Sequence, residues 1–176
     1  YGLIGHNISY SKSPRFHLYM AKKLGMDMTY ELLDVEADEI KNLIDDMREG
    51  LYQGFNITIP YKQTVIQYLD ILTSKATKIG AVNTIYYRDG KVVGDNTDYD
   101  GFVGSLKMHQ IDVKEKQVYI LGTGGAAKAV YIALKDLGAH VTVVSRNKKN
   151  KHPFFGTVID YKDIKPSHVD IYVQAT

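Results

Sequence analysis

A glycine-rich turn constrains what this chain can fold into more tightly than any other feature. Gly122-Thr123-Gly124-Gly125-Ala126-Ala127 follows the apolar run 118–121 and opens a helical pattern reaching Leu137. Gly138 stands where that helix must stop, and a second apolar run, 141–145, comes next. Strand, glycine turn, helix and strand in this order predict a parallel βαβ unit. Glycine at 122 permits the tight turn, and glycine at 124 lets the backbone approach a pyrophosphate. The helix N-terminus offers free N–H groups and a partial positive charge to that anion. Ala127 takes the place of a third glycine, which the fingerprint permits. The bland alternative is a plain strand-to-helix turn in a doubly wound sheet. With strand, helix and second strand all in register, the nucleotide reading is preferred.

An NAD site ordinarily carries Asp or Glu at the end of the second strand, for the ribose hydroxyls. Here the strand ends Val143-Val144-Ser145-Arg146-Asn147, with no carboxylate. Arg146 supplies a planar, permanently charged fork suited to a 2′-phosphate. NADP is the expected cofactor. Lys148 and Lys149 read as part of a solvated basic loop over 147–156.

Upstream, strand and helix patterns also alternate. Strands are expected at 1–5, 29–35 and 54–59, the last stopped by Pro60. Ser13-Pro14 predicts a helix start, with serine as N-cap and proline at the first helical position. His17, Met20, Ala21 and Leu24 continue at helical spacing to Gly25. Ile40, Leu43, Ile44 and Met47 give the cleanest amphipathic helix, closed by Gly50. A helix is expected at 61–72. Asp89-Gly90, between apolar runs 82–88 and 91–94, predicts a two-residue hairpin. The pattern restarts near residue 100 with a helix over 102–108. Further strands are expected at 157–159 and 169–175, the second as a near-continuous buried one. The fold class is α/β: an N-terminal α/β domain over 1–100, then a Rossmann-like dinucleotide-binding domain over 101–176. The chain halts at Gln174-Ala175-Thr176 as a strand ends, so this second domain is expected to be C-terminally incomplete and to continue past Thr176.

Composition narrows the function classes. At 176 residues the chain holds one large domain or two small ones, with 44% hydrophobic and 24% charged residues, ordinary for a soluble protein. A net charge of +2 is too mild to imply a nucleic-acid partner. The absence of cysteine excludes disulfides and thiolate chemistry, and fits a cytoplasmic setting. No apolar run approaches the ~20 residues that span a membrane, so no membrane partner is expected. The histidines lack metal-ligand spacing, and no metal is assigned.

Three polar clusters fall at strand ends or loops, where sites in open α/β sheets are built. They are Ser11-Lys12-Ser13, then Asn56-Ile57-Thr58-Ile59-Pro60-Tyr61-Lys62, then Asn83 with Gly94-Asp95-Asn96-Thr97-Asp98. Their hydroxyls, amides and carboxylate suit a small polyol or sugar-like acid. Plainer roles exist for several. Ser13 and Asp98 suit helix N-caps, Asn83 and Asn96 suit turns, and the tyrosines read mostly as packing. Lys62 resists such a reading. It follows a proline-stopped strand, in the expected first turn of a helix, where the dipole disfavours an ammonium. A lysine held there is expected to give up its proton readily, which suits proton transfer.

In this order the clusters resemble the shikimate dehydrogenase family across nearly the whole chain. Ser11-Lys12-Ser13-Pro14 with His17 is similar to its substrate-carboxylate loop, and residues 56–62 to its catalytic-lysine segment. Gly80-Ala81-Val82-Asn83-Thr84 and Gly94-Asp95-Asn96-Thr97-Asp98 resemble its substrate signatures, and 122–127 its glycine loop. The resemblance implies NADPH-dependent reduction of 3-dehydroshikimate to shikimate, a small-molecule substrate, and a monomer or homodimer. It implies that Ser11 and Ser13 bind the substrate carboxylate, that Thr58, Asn83 and Asp98 hold ring hydroxyls, and that Lys62 and Asp98 form the catalytic pair. Cofactor contacts would come from Gly122, Thr123, Gly124, Gly125, Ala126, Ser145, Arg146 and Asn147. Asn7 and Tyr10 stand where the family usually has proline and histidine. Ser145-Arg146-Asn147 replaces an Asn-Arg-Ser/Thr motif, and Gln174 an asparagine. An NAD-preferring quinate/shikimate dehydrogenase and a non-catalytic nucleotide sensor on the same fold are the alternatives.

Overall fold

The computed structural model describes residues 1–146 and 153–176, and the chain divides into two compact units, Tyr1–Asn96 and Thr97–Thr176. In the first unit, β1 (Gly2–Gly5) is flanked in parallel by β2 (Glu31–Asp34) and β3 (Gly54–Ile57). The sheet continues antiparallel through β5 (Thr84–Arg88) and β6 (Lys91–Asp95), and ends on the two-residue β4 (Ile71–Leu72), parallel to β6. Three helices accompany it: α1 (Ser13–Lys23), α2 (Ile40–Arg48) and α3 (Ser74–Ile79).

Side chains alternate across β1, so Ile4 and Leu3 serve different cores. Ile4 joins Phe55, Ile57, Ile85 and Val92 beneath Ile40, Ile44 and Met47 of α2. The three α2 residues sit four and three apart, on one helical face, and each is fully buried. Burying each contributes about 1.5–3 kcal/mol. Leu3 joins a smaller core with Ile8 and Tyr30, flanked by Met28 and Leu32.

Two local expectations are corrected. The helix over 61–72 does not form. A 3-10 turn, Thr64–Tyr68, is followed by extended chain whose N–H groups at Asp70 and Thr73 donate to Val92 and Gly94 carbonyls. The β-branched run Thr64-Val65-Ile66 has modest helix propensity, and pairing with β6 decides the outcome. Nor is Ser13 an N-cap: it is the first residue of α1, with Lys12 preceding it and no side-chain cap bond. The Asp89-Gly90 hairpin forms as expected, with φ of +52° and +76° and Arg88 opposite Lys91.

In the second unit, α4 (Asp98–Met108) precedes β7 (Gln117–Leu121), α5 (Gly125–Asp136), β8 (His140–Ser145), β9 (Thr157–Asp160) and β10 (Ile171–Gln174). The four strands are parallel in the order β10-β7-β8-β9, a doubly wound arrangement that reverses direction between β7 and β10. Val118, Ile120 and Val143 pack with Ala127, Val130 and Leu134 of α5 and Leu106 of α4. β10 is not the near-continuous buried strand expected. Ile171 and Val173 are half-buried while Tyr172 is exposed, because alternate side chains of a terminal strand face away from the core.

Candidate active site

Residues of the first unit gather at one edge of its sheet, at the C-terminal ends of β1 and β3. Thr58 follows β3, and its methyl lies so close to Gly5 that a Cβ there would approach it to 2.6 Å. Glycine at the end of β1 is what lets Thr58 settle against that strand. β5 runs antiparallel to β3, so its start lies at this same edge. There Asn83, 8% exposed, accepts from the Ile57 N–H (2.8 Å) and donates its own N–H to the Asp95 carbonyl (3.0 Å). Its side-chain Oδ1 accepts from the Thr84 hydroxyl at 2.9 Å. The Lys62 carbonyl accepts from Val82 N–H at 2.7 Å, which anchors the half-buried lysine one residue from Asn83. No α-helix begins at Lys62, so the dipole expected there has no source; the residue lies in a turn after the cis Ile59–Pro60 bond.

The loop after β1 carries the serines. Ser11 Oγ accepts from the Ser13 N–H (3.2 Å) and donates to Ser13 Oγ (3.1 Å), which ties the loop to the first residue of α1. Asp34, at the end of β2, holds this loop: its carboxylate oxygens accept from the Asn7 N–H (2.8 Å) and the Ile8 N–H (3.1 Å). The sequence reading missed Asp34; an Asp closing a strand beside a loop was the available signal. It also missed the polar side of Tyr30, whose hydroxyl donates to Asn56 Oδ1 at 2.7 Å, and of Tyr61, which donates to the Val35 carbonyl at 2.8 Å. Burial pushes the Tyr30 phenol up to about 12. Asn96 is fully buried, its amide donating to the Ala81 carbonyl at 2.9 Å, so it is an internal brace and not a surface turn residue.

In the second unit, Gly122, Thr123 and Gly124 join β7 to α5 at the strand-order reversal. Gly122 has φ +126°, and a Cβ on it would come within 2.7 Å of the Ala175 carbonyl beyond β10. A Cβ on Gly124 would meet nothing within 4 Å. Gly124 also leaves the start of α5 without a side-chain cap, and no acid occupies the first turn. Open space, uncapped N–H groups and no competing carboxylate together fit a pyrophosphate. At the end of β8, Ser145 is buried and Arg146 exposed. Asn147, with Lys148 and Lys149, lies outside the described residues. Asp98 is the first residue of α4, not its cap, and belongs to the second unit while Lys62 belongs to the first.

Comparison with known proteins bears on both units. A family model described as "Shikimate dehydrogenase substrate binding domain" matches residues 3–85. The shikimate dehydrogenase (NADP(+)) of Clostridium beijerinckii is 41% identical over 180 residues, covering 100% of this chain and 67% of that protein. The chain belongs to the shikimate dehydrogenase family. The Clostridium botulinum shikimate dehydrogenase (NADP(+)) is 42% identical, covering 93% of this chain and 64% of the relative, so the chain spans under two-thirds of that protein. Among solved structures, Shikimate Dehydrogenase 1 from Peptoclostridium difficile superposes with a TM-score of 0.92 at 37% identity, over 99% of this chain and 66% of that one. The Thermus thermophilus enzyme, solved in complex with NADP(H) and shikimate, gives a TM-score of 0.88 at 31% identity, over 99% of this chain and 67% of that one.

Asn7 has a φ of +56° and donates its N–H to Asp34, and both features are closed to proline. The β1–α1 loop is held by this strand-end carboxylate. No helix among the described residues is long and apolar enough to cross a membrane.

Proposed function

We propose that the protein reduces 3-dehydroshikimate to shikimate with NADPH, as a cytoplasmic enzyme of aromatic amino-acid biosynthesis. The observation that carries this reading is the anchoring of Lys62, through its main chain, beside Asn83 at the sheet edge that also bears Thr58. Kinship with an enzyme solved with NADP(H) and shikimate supports the same assignment. Ser11 and Ser13 would hold the substrate carboxylate, while Thr58, Asn83 and Asp98 orient ring hydroxyls. Reducing the ketone takes one hydride at carbon and one proton at oxygen; the nicotinamide, when bound, supplies the hydride. The Lys62 ammonium donates the proton and stabilises charge developing on that oxygen. Asp98 is assigned to position the substrate hydroxyl. The Gly122–Ala126 turn and the start of α5 would cradle the pyrophosphate, with Ser145, Arg146 and Asn147 at the 2′-phosphate. Preference for NADP over NAD rests on Arg146 and on a β8 end without a carboxylate.

The test is the fall of NADPH absorbance on adding 3-dehydroshikimate to the intact protein, repeated with Lys62→Ala. Turnover in the variant should drop on the order of 10²–10⁴, with substrate affinity close to wild type. Near-normal turnover with only a raised Michaelis constant would remove Lys62 from the proton-transfer role.

A further inference from the structure

Tyr30 joins parts of the first unit that are distant in sequence. It precedes β2, is 8% exposed, and packs with Leu3 and Ile8 in the smaller core. Its ring stacks on His17 of α1, with centroids 4.5 Å apart and planes 9° from parallel. Its hydroxyl donates to Asn56 Oδ1. His17 lies one helical turn after Ser13, and Asn56, inside β3, lies two residues before Thr58. A tyrosine present only for packing would not bring a hydroxyl to an asparagine inside a strand. Both groups lose water there, and one well-made bond has to offset that cost.

The Asn56 amide has a direction. With Oδ1 occupied by Tyr30, Nδ2 is the remaining donor, and among the described residues nothing accepts from it. No side-chain nitrogen or oxygen is both sealed from solvent and unpaired among them, so Nδ2 stays reachable from outside. Asn56 is opposite Thr84, whose own hydroxyl holds Oδ1 of Asn83. Two neighbouring amides are thus oriented the same way, each by a hydroxyl on its oxygen.

We infer that Tyr30 is a positioning residue for substrate. It fixes the Asn56 amide so that its NH2 group meets an oxygen of an oxygen-rich acid, and it ties the helix behind Ser13 to the strand before Thr58. This rests on the functional reading above. Tyr30 touches no reacting atom, so its loss should weaken substrate binding and spare the chemical step.

Tyr30→Phe keeps the ring and the His17 stack and removes only the hydroxyl. In the intact protein, calorimetry should show shikimate bound about three- to tenfold more weakly, the size of one net hydrogen bond. NADPH affinity and kcat should stay within about twofold, so the change appears in KM. Tyr30→Phe combined with Asn56→Ala should bind shikimate no worse than Asn56→Ala alone, since the first acts through the second. A purely structural hydroxyl would lower the urea midpoint and leave shikimate affinity as it was, which overturns the inference. Additive losses in the double variant overturn it as well. A wild type that does not bind shikimate overturns the functional reading and this inference together. A wild type that binds it, with Tyr30→Phe binding equally well, overturns the inference alone.

Discussion

Gly122→Ala and Gly124→Ala are the same chemical change two residues apart, and the structure assigns them opposite consequences. At Gly122 the backbone has φ +126°, a region closed to side chains other than hydrogen. Holding alanine there costs about 1–3 kcal/mol. The new methyl would also stand 2.7 Å from the Ala175 oxygen and 2.9 Å from its carbonyl carbon, and main chain cannot rotate aside as a side chain does. Overpacking of this kind adds about 1–3 kcal/mol. Gly122→Ala should therefore lose about 2–6 kcal/mol, a large share of an ordinary domain's stability. Gly124 has φ −76° and open space around its missing Cβ, so alanine there should change stability by less than about 0.5 kcal/mol. Its methyl would instead occupy the space left for a pyrophosphate, and NADPH affinity should fall at least tenfold, about 1.4 kcal/mol. Urea denaturation and NADPH titration of both variants separate the two effects. A Gly124→Ala protein that binds NADPH like wild type would refute the cradle. A Gly122→Ala protein as stable as wild type would refute the steric argument.

Arg146→Leu should weaken NADPH by about 1.5–3 kcal/mol while leaving NADH nearly unchanged, as titration with each would show; equal weakening would mean that Arg146 does not meet the 2′-phosphate. Asn7→Pro should destabilise by about 2–4 kcal/mol in urea, because it forbids a φ of +56° and removes the N–H that Asp34 accepts. Unchanged stability would show that the loop is not held as described. His17 has its pKa lowered from 6.5 by burial, so its neutral form is the one suited to the fold. Its contribution is fully present above pH 6.5 and is lost as pH falls through the lower folded-state value. Denaturation midpoints of wild type and His17→Phe should therefore converge as pH falls below neutrality, and parallel profiles would contradict this.

Elements whose cause lies within a few residues were legible in the sequence. The glycine turn between β7 and α5, the Asp89-Gly90 hairpin and the buried face of α2 each follow from dihedral freedom or periodicity that neighbouring residues settle. The order of the polar clusters, with their resemblance to shikimate dehydrogenases, was legible for the same reason, since each motif is a short run. What tertiary structure decided are the pairings between distant residues. Residues 61–72 lost their expected helix because β6, some twenty residues on, offers a strand edge to pair with. Asn96 became an internal brace because Ala81 presents a buried carbonyl, and Asp34 became the anchor of the Ser11–Ser13 loop because β2 lies beside β1. Tyr30 is the clearest instance. Its sequence neighbours mark it as one more apolar strand residue, and only the folding of α1 and β3 around it gives its ring a histidine and its hydroxyl an amide. A side chain's type sets which bonds it can make, but a bond forms only where the rest of the chain brings a partner within about 3 Å.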